Sequence, residues 1–196
     1  MKVTVAESSG FCRGVRHAVE TAQKLAGPGV YILGELVHNP LVTEDLSRRG
    51  IVTVETVEEV PCGSTLILRS HGVGRSVYEQ CAERGLHVVD CTCPFVKRTQ
   101  KIVQRAAEQG KSVLIVGERL HPEVIGLIGW SGEDTFVACS EEECATLSAG
   151  KELAVVAQTT CPEEIFKKIV KFVSKGREKT VEIFKTICYT TVSRQK

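Results

Sequence analysis

The sequence has no long apolar run, no marked excess of either charge and no C-x2-C-x2-C cysteine motif, and each gap removes a class of protein. No stretch approaches the roughly 18 apolar residues of a membrane helix. The opening MKVTVAESSGFC carries no apolar signal segment. Together these predict no membrane association and a cytoplasmic location. Twenty-five Lys and Arg stand against 24 Asp and Glu, so no basic tract or acidic tail supports binding to nucleic acid or a lipid surface. A small anion needs only local charge, and that class of ligand stays open. No C-x2-C-x2-C run and no nicotinamide-binding fingerprint is present.

What is present is cysteine, and enough apolar residues for a core. Nine Cys in 196 residues is a high count, and the odd number argues against a complete disulphide framework. Free thiols in a reducing compartment fit better, some of them as metal ligands. With 42% hydrophobic residues the chain can bury one large domain or two small ones.

Along the chain the pattern is strand, polar loop, helix, many times over. Val3 to Ala6, Tyr31 to Leu33, Thr65 to Leu68, Val88 to Asp90, Val113 to Val116, Ala154 to Ala157 and Val181 to Phe184 are short apolar or β-branched runs. Helices are expected at Val15 to Lys24, Val42 to Arg49, Ser76 to Arg84, Val96 to Glu108 and Glu163 to Phe172. In the fourth, Val96, Thr99, Ile102, Val103 and Ala106 make one apolar face. Strands joined by crossover helices predict an α/β protein with parallel sheets, whose polar loops gather at the carboxyl ends of the strands.

The sequence also resembles itself. A strand, a Cys and a helix recur around Cys12, Cys93 and Cys188. ILGELVHNP around His38 parallels IVGERLHPE around His121, and LILRSHGV around His71 parallels VVAQTTC around Thr159. Three likenesses in one order favour duplication over chance, and the third unit is expected to be incomplete at Lys196.

Three thiolates from equivalent units can converge near a threefold axis. Such a set satisfies three irons of a [4Fe-4S] cube and leaves the fourth open. Thiolates suit zinc as well, and the wide spacing does not choose between the two; a cysteine is also a small buried hydrophobe. Cys93 precedes Pro94, a good first helical residue, so its thiolate would face the amides of a helix start. Cys91 should point to the opposite side of its strand, and Cys81 belongs to a helical core pattern. Cys62, Cys139, Cys144 and Cys161 receive no role.

His17, beside Arg13 and Arg16, reads as part of a solvated basic face. His38, His71 and His121 follow strands and sit beside Asn, Gly or Pro, where an imidazole either binds phosphate or stabilises a turn. Glu123 in HPEV is either a helix-capping carboxylate or a proton carrier. Thr159 and Thr160 either bind substrate through their hydroxyls or cap the helix after Pro162.

GFCRGV, LVHNP, RSHGV, DCTCPFV, HPEV, AQTT and TICYTTVSRQ, in this order, resemble the LytB family, the 4-hydroxy-3-methylbut-2-enyl diphosphate reductases. The resemblance covers nearly the whole chain. It implies one [4Fe-4S] cluster with an open apical iron on Cys12, Cys93 and Cys188. It places His38, His71 and His121 around the diphosphate, and Glu123 with Thr159 or Thr160 at the hydroxyl and its proton. The implied partners are the diphosphate alcohol and reduced ferredoxin or flavodoxin, with isopentenyl and dimethylallyl diphosphates as products. The implied fold is a pseudo-threefold trefoil of small α/β domains with parallel or mixed sheets, about two of three units being present. Residues 14–92 and 93–184 would be two domains, 185–196 the start of a third, and 1–13 a strand and cluster Cys packing with that third. The Ser-x-Asn segment and later Ser that the family uses for diphosphate have no counterpart here, which leaves a catalytically inactive remnant as the alternative.

Overall fold

Aliphatic runs too short to be helices, fed by amphipathic segments long enough to cross back over them, arrange in the computed structural model as two parallel sheets of one design. The structure describes residues 3–4, 10–147, 151–175 and 180–194. The chain runs α1 (Arg13–Leu25), β1 (Val30–Leu33), α2 (Pro40–Arg48), β2 (Val52–Val54), a 3-10 turn, β3 (Thr65–Leu68), α3 (Arg75–Glu83) and β4 (His87–Asp90). It then runs α4 (Pro94–Glu108), β5 (Ser112–Val116), α5 (Pro122–Ser131), β6 (Thr135–Ala138), a 3-10 turn, β7 (Leu153–Ala157), α6 (Glu163–Ser174) and β8 (Val181–Ile183). A short α7 (Tyr189–Arg194) follows. The sheet orders are β2-β1-β3-β4 and β6-β5-β7-β8, with every pair parallel. Element by element, the second unit retraces the first.

The central strands alternate between two cores, as a period of two demands. In the first sheet Val30, Ile32 and Ile67 pack under α1 and α2, while Leu33, Leu66 and Leu68 pack under α3. In the second, Val113, Ile115, Ala154 and Val156 meet α4 and α5, and Leu114, Val116, Val155 and Ala157 meet α6. Each fully buried aliphatic side chain contributes about 1.5–3 kcal/mol. These four strands therefore fix the frame from which the loops project.

Most expected elements are present with ends shifted by one or two residues. Three elements are missing from the expectation. β2 and β6 are edge strands of three and four residues, too short for alternation to register. α5 is apolar nearly all round, with glycines at 126 and 129, so it shows no single apolar stripe. Of the expected strand at Val3 to Ala6, Val3 and Thr4 are described and carry no strand, and the rest lies outside the described residues.

α5 is also where the units meet. A Cβ on Gly129 would come within 2.6 Å of the Gly74 Cα, and one on Gly126 within 3.4 Å of Gly72 backbone. The absence of side chains on this face lets the helix lie directly on the loop following His71. Trp130 Nε1 and Gln100 Nε2 both donate to the Val73 carbonyl, at 2.8 and 3.2 Å. The loop after β3 is thereby held against the carboxyl half of α5, the helix whose N-cap is His121.

Candidate active site

That docking brings together three imidazoles from three loops. The His38 and His71 ring centroids lie 4.5 Å apart, His38 and His121 5.9 Å, and His71 and His121 5.6 Å. His38 sits between β1 and α2, with Nδ1 3.1 Å from Glu35 Oε2. His71 follows β3, and its Nδ1 is buried without a partner. His121 is the N-cap of α5, and its Nδ1 accepts from the Glu123 amide at 3.1 Å. An accepting Nδ1 places the proton of a neutral ring on Nε2, which leaves His121 a donor there.

Burial sets the charge of His71. It lowers the His71 pKa to about 3, helped by the fields of His38, His121 and Arg69. Burial lowers His121 too, with His38 and Arg69 adding and Glu118 opposing. His71 is therefore neutral at physiological pH.

Glu123, 2% exposed, lies in the first turn of α5 but does not cap it. Its Oε1 accepts from the Thr159 amide at 2.7 Å, and its Oε2 from the Thr159 hydroxyl at 2.6 Å. The carboxylate thus ties α5 to the loop after β7. Burial raises its pKa, and the two Thr159 bonds oppose that rise. Thr159 is buried, whereas Thr160 is exposed and accepts from Gln158 Nε2 at 2.7 Å. Neither threonine caps α6, whose N-cap is Pro162.

Cys12 and Cys93 are the N-caps of α1 and α4, and Cys188 immediately precedes α7. All three are half-buried free thiols. The amides of Cys93 and Cys188 donate to the carbonyls of Ser70 and Thr159, at 2.9 and 2.8 Å. Two cysteines thus hang from the same loops that carry His71 and the Glu123 partner. The Cys93 pKa is raised, chiefly by burial, while the Phe95 and Val96 amides lower it and the Cys188 and Cys12 thiols add to the rise. The helix start acts with the expected sign, but burial outweighs it. Among the described residues no three His, Cys, Asp or Glu form a site for one metal ion. Cys81 and Cys91 are core residues.

Two residues were not singled out by sequence. Arg69 and Gln158 each precede the residue that receives a cysteine amide, Ser70 and Thr159, and each leans on the glycine that opens a histidine loop, Gly34 and Gly117. The signal was in the parallel between RSHGV and QTTC, in which they are equivalent. His17 is exposed and borders a cleft of about 960 Å³ with Lys97, Arg98, Lys101 and Arg105. That cleft is not lined by His38, His71, His121 or Glu123.

The family described as LytB protein matches residues 3–196. A 4-hydroxy-3-methylbut-2-enyl diphosphate reductase of a Thermoanaerobacter species is 43% identical over 201 residues, spanning all of this chain and 69% of that protein. The reductase of Caldanaerobacter subterraneus subsp. tengcongensis is 38% identical over 202 residues, with 100% and 70% covered. The solved reductase of Plasmodium falciparum superposes with a TM-score of 0.90 at 30% identity, over 96% of this chain and 61% of that one. A second solved structure, described as the terminal enzyme of the non-mevalonate pathway, gives 0.84 at 37% identity, over 98% and 70%. No helix among the described residues is long and apolar enough to cross a membrane.

Proposed function

Because the chain belongs to the LytB family, we propose that it carries out that family's reduction of 4-hydroxy-3-methylbut-2-enyl diphosphate to isopentenyl and dimethylallyl diphosphates. The observation that carries this reading is the buried Glu123–Thr159 pair together with three clustered imidazoles, the loops of His71 and Thr159 each accepting the amide of one of the three cysteines. We read residues 14–92 and 93–184 as two domains, each with one complete four-stranded sheet. Residues 1–13 and 185–196 belong with a third.

The cysteines suit a cubane better than a single ion. In a [4Fe-4S] cluster each thiolate takes its own iron, so three sulphurs need not converge on one point. A Cβ on Gly14 would come within 2.8 Å of the Cys93 Sγ, so this glycine, two residues past Cys12, keeps the space beside that sulphur open. Cys12, Cys93 and Cys188 would hold the cluster, which when bound supplies an electron path and an iron open to the substrate hydroxyl.

Replacing an allylic C–OH by C–H consumes two electrons and two protons and releases one water. The electrons come from a ferredoxin- or flavodoxin-class donor. Glu123 keeps a proton to higher pH than an exposed carboxylate because burial disfavours its charge. The Thr159 hydroxyl, hydrogen-bonded to it, places that proton store beside the departing oxygen, which leaves as water. His121 Nε2 donates to phosphate oxygens, and His38 and His71 complete the cradle. Partial burial of the His71 and His121 rings strengthens their bonds, whereas the His38 ring is exposed.

Anaerobic reconstitution tests the metal reading. About four irons and four sulphides per chain are expected, with Cys93→Ala losing them and Cys81→Ala retaining them. Equal cluster content in the Cys12, Cys93 and Cys188 variants and the unaltered protein removes the assignment. Turnover of the diphosphate alcohol with a chemical reductant tests the reaction, and its absence in cluster-loaded protein overturns it.

A further inference from the structure

Among the described residues, Arg69 acts on His71 and His121 of the imidazole cluster through its charge and makes no hydrogen bond or ion pair that accounts for its being there. Its Nε is buried and lacks a hydrogen-bond partner. Its Nη1 lies where a Cβ on Gly34 would come to 2.5 Å, and Gly34 has φ of 66°. The guanidinium is therefore seated on the backbone that opens the His38 loop, and only glycine leaves that seat free. Burial lowers the Arg69 pKa, and the one acid whose charge opposes this is Glu55. A guanidinium has five donors and no acceptor, and of these the buried Nε–H is left unpaired, which is unfavourable. An anion placed among them relieves that cost.

The second unit shows what a merely structural residue does at this position. Gln158 leans on Gly117, where a Cβ would meet it at 2.7 Å. Its Oε1 accepts from the Glu118 amide at 3.0 Å and its Nε2 donates to Thr160 Oγ1 at 2.7 Å. Gln158 thus uses both ends of its amide within its own unit. The first unit has a cation there instead, with its Nε left unpaired.

Charge completes the case. The groups facing the cluster are His38 with Glu35, His71, His121 with Glu118, and Arg69 with Glu55. A neutral His71 offers a dipole but no charge, whereas a diphosphate brings at least two negative charges. We propose that Arg69 is a further anion-binding residue of this pocket: seated on Gly34 beside His38, His71 and His121, its guanidinium supplies fixed positive charge for the substrate's phosphate groups. The inference rests on the reading of the three imidazoles as the diphosphate cradle.

Arg69→Gln is the discriminating variant, because it copies the second unit's residue, offers an amide oxygen to the Glu35 N–H as Gln158 does to that of Glu118, and removes the charge. Titration calorimetry of the full chain with inorganic pyrophosphate should show about 10- to 100-fold weaker binding for Arg69→Gln, the range set by charge-assisted hydrogen bonds. Arg69→Lys should fall between the two. In the cluster-loaded protein Arg69→Gln should raise KM far more than it lowers kcat. Histidine proton resonances should show the His71 and His121 pKa values rising in Arg69→Gln and holding in Arg69→Lys, which keeps the charge, whereas looser packing would raise them in both variants. Unchanged pyrophosphate affinity in Arg69→Gln, with His71→Gln weakened, overturns the role of Arg69 and leaves the cradle standing. Equal affinity in His71→Gln and the unaltered protein, or no binding by the unaltered protein, overturns both.

Discussion

The two units share strand order, helix order and loop register, yet they carry different chemistry on equivalent loops. After β1 and β5 each presents a histidine four residues beyond a glycine, His38 after Gly34 and His121 after Gly117. In the first unit the helix that follows is capped by Asn39, whose side chain accepts from the Leu41 amide at 3.1 Å. In the second, His121 is itself the cap, and the helix starts one residue nearer the histidine. Counted from the histidine, Glu123 stands where the first unit has Pro40. After β3 and β7 the pair Arg69 and His71 is answered by Gln158 and Thr160. The first unit thus contributes cation and imidazole, and the second contributes carboxylate, hydroxyl and one imidazole. A duplicated frame yields an asymmetric pocket through substitutions at a few loop positions, with the buried sheets left alike.

The strongest way to break this comparison is to remove what only the second unit has. Glu123→Gln should lower reductive turnover by about 10²- to 10⁴-fold, the range for a proton-transferring side chain, while cluster content is largely kept. Turnover equal to that of the unaltered protein would reduce Glu123 to a tie between α5 and Thr159.

The seam between the units is the next target. Gly129→Ala puts a methyl 2.6 Å from the Gly74 Cα, and overpacking of this kind costs about 1–3 kcal/mol. Gly27→Ala, with nothing within 4 Å of the added carbon, should be close to neutral. Denaturant melts of both variants check this, and equal midpoints would mean that α5 does not depend on the close approach.

A third difference concerns charge in the first unit. The His71 pKa is about 3 in the folded chain against 6.5 unperturbed. A depressed folded value contributes stability that is present above pH 6.5 and is lost as pH falls from there toward 3. At pH 5 the loss is about 2 kcal/mol, at 1.4 kcal/mol per pH unit. Stability measured from pH 8 to 4 should show this slope, and His71→Gln should flatten it. An unchanged slope in that variant would assign the acid sensitivity to another group.

The smallest effect belongs to the first unit's cap. Asn39→Ala should cost about 1 kcal/mol, read as a lower midpoint in thermal melting. A change below a few tenths of a kcal/mol would show that Pro40 at the first helical position sets the start of α2 without help.

Much of this was legible in the chain itself. Short continuous apolar runs such as Thr65–Leu68 and Val113–Val116 marked the central strands, because a strand covered on both faces has no polar positions to alternate with, and the apolar face of α4 marked a crossover, because one-sided burial leaves a period in sequence. The repeat, the three cysteines, the three histidines and Glu123 were visible as residue types at matching places. Edge strands β2 and β6 were not, since three or four half-exposed residues carry too little pattern. Nor was α5, which is covered on several sides and so has no stripe. Only the tertiary structure decided what the candidates touch. It set Glu123 against Thr159 rather than against its own helix, and His71 within 5.6 Å of His121 across the seam between units. It also left Arg69 with an unpaired Nε where Gln158 is bonded at both ends of its amide. The physical reason is that a period records which side of an element is buried, whereas hydrogen-bond partners and charge are set by which loops the packing brings together.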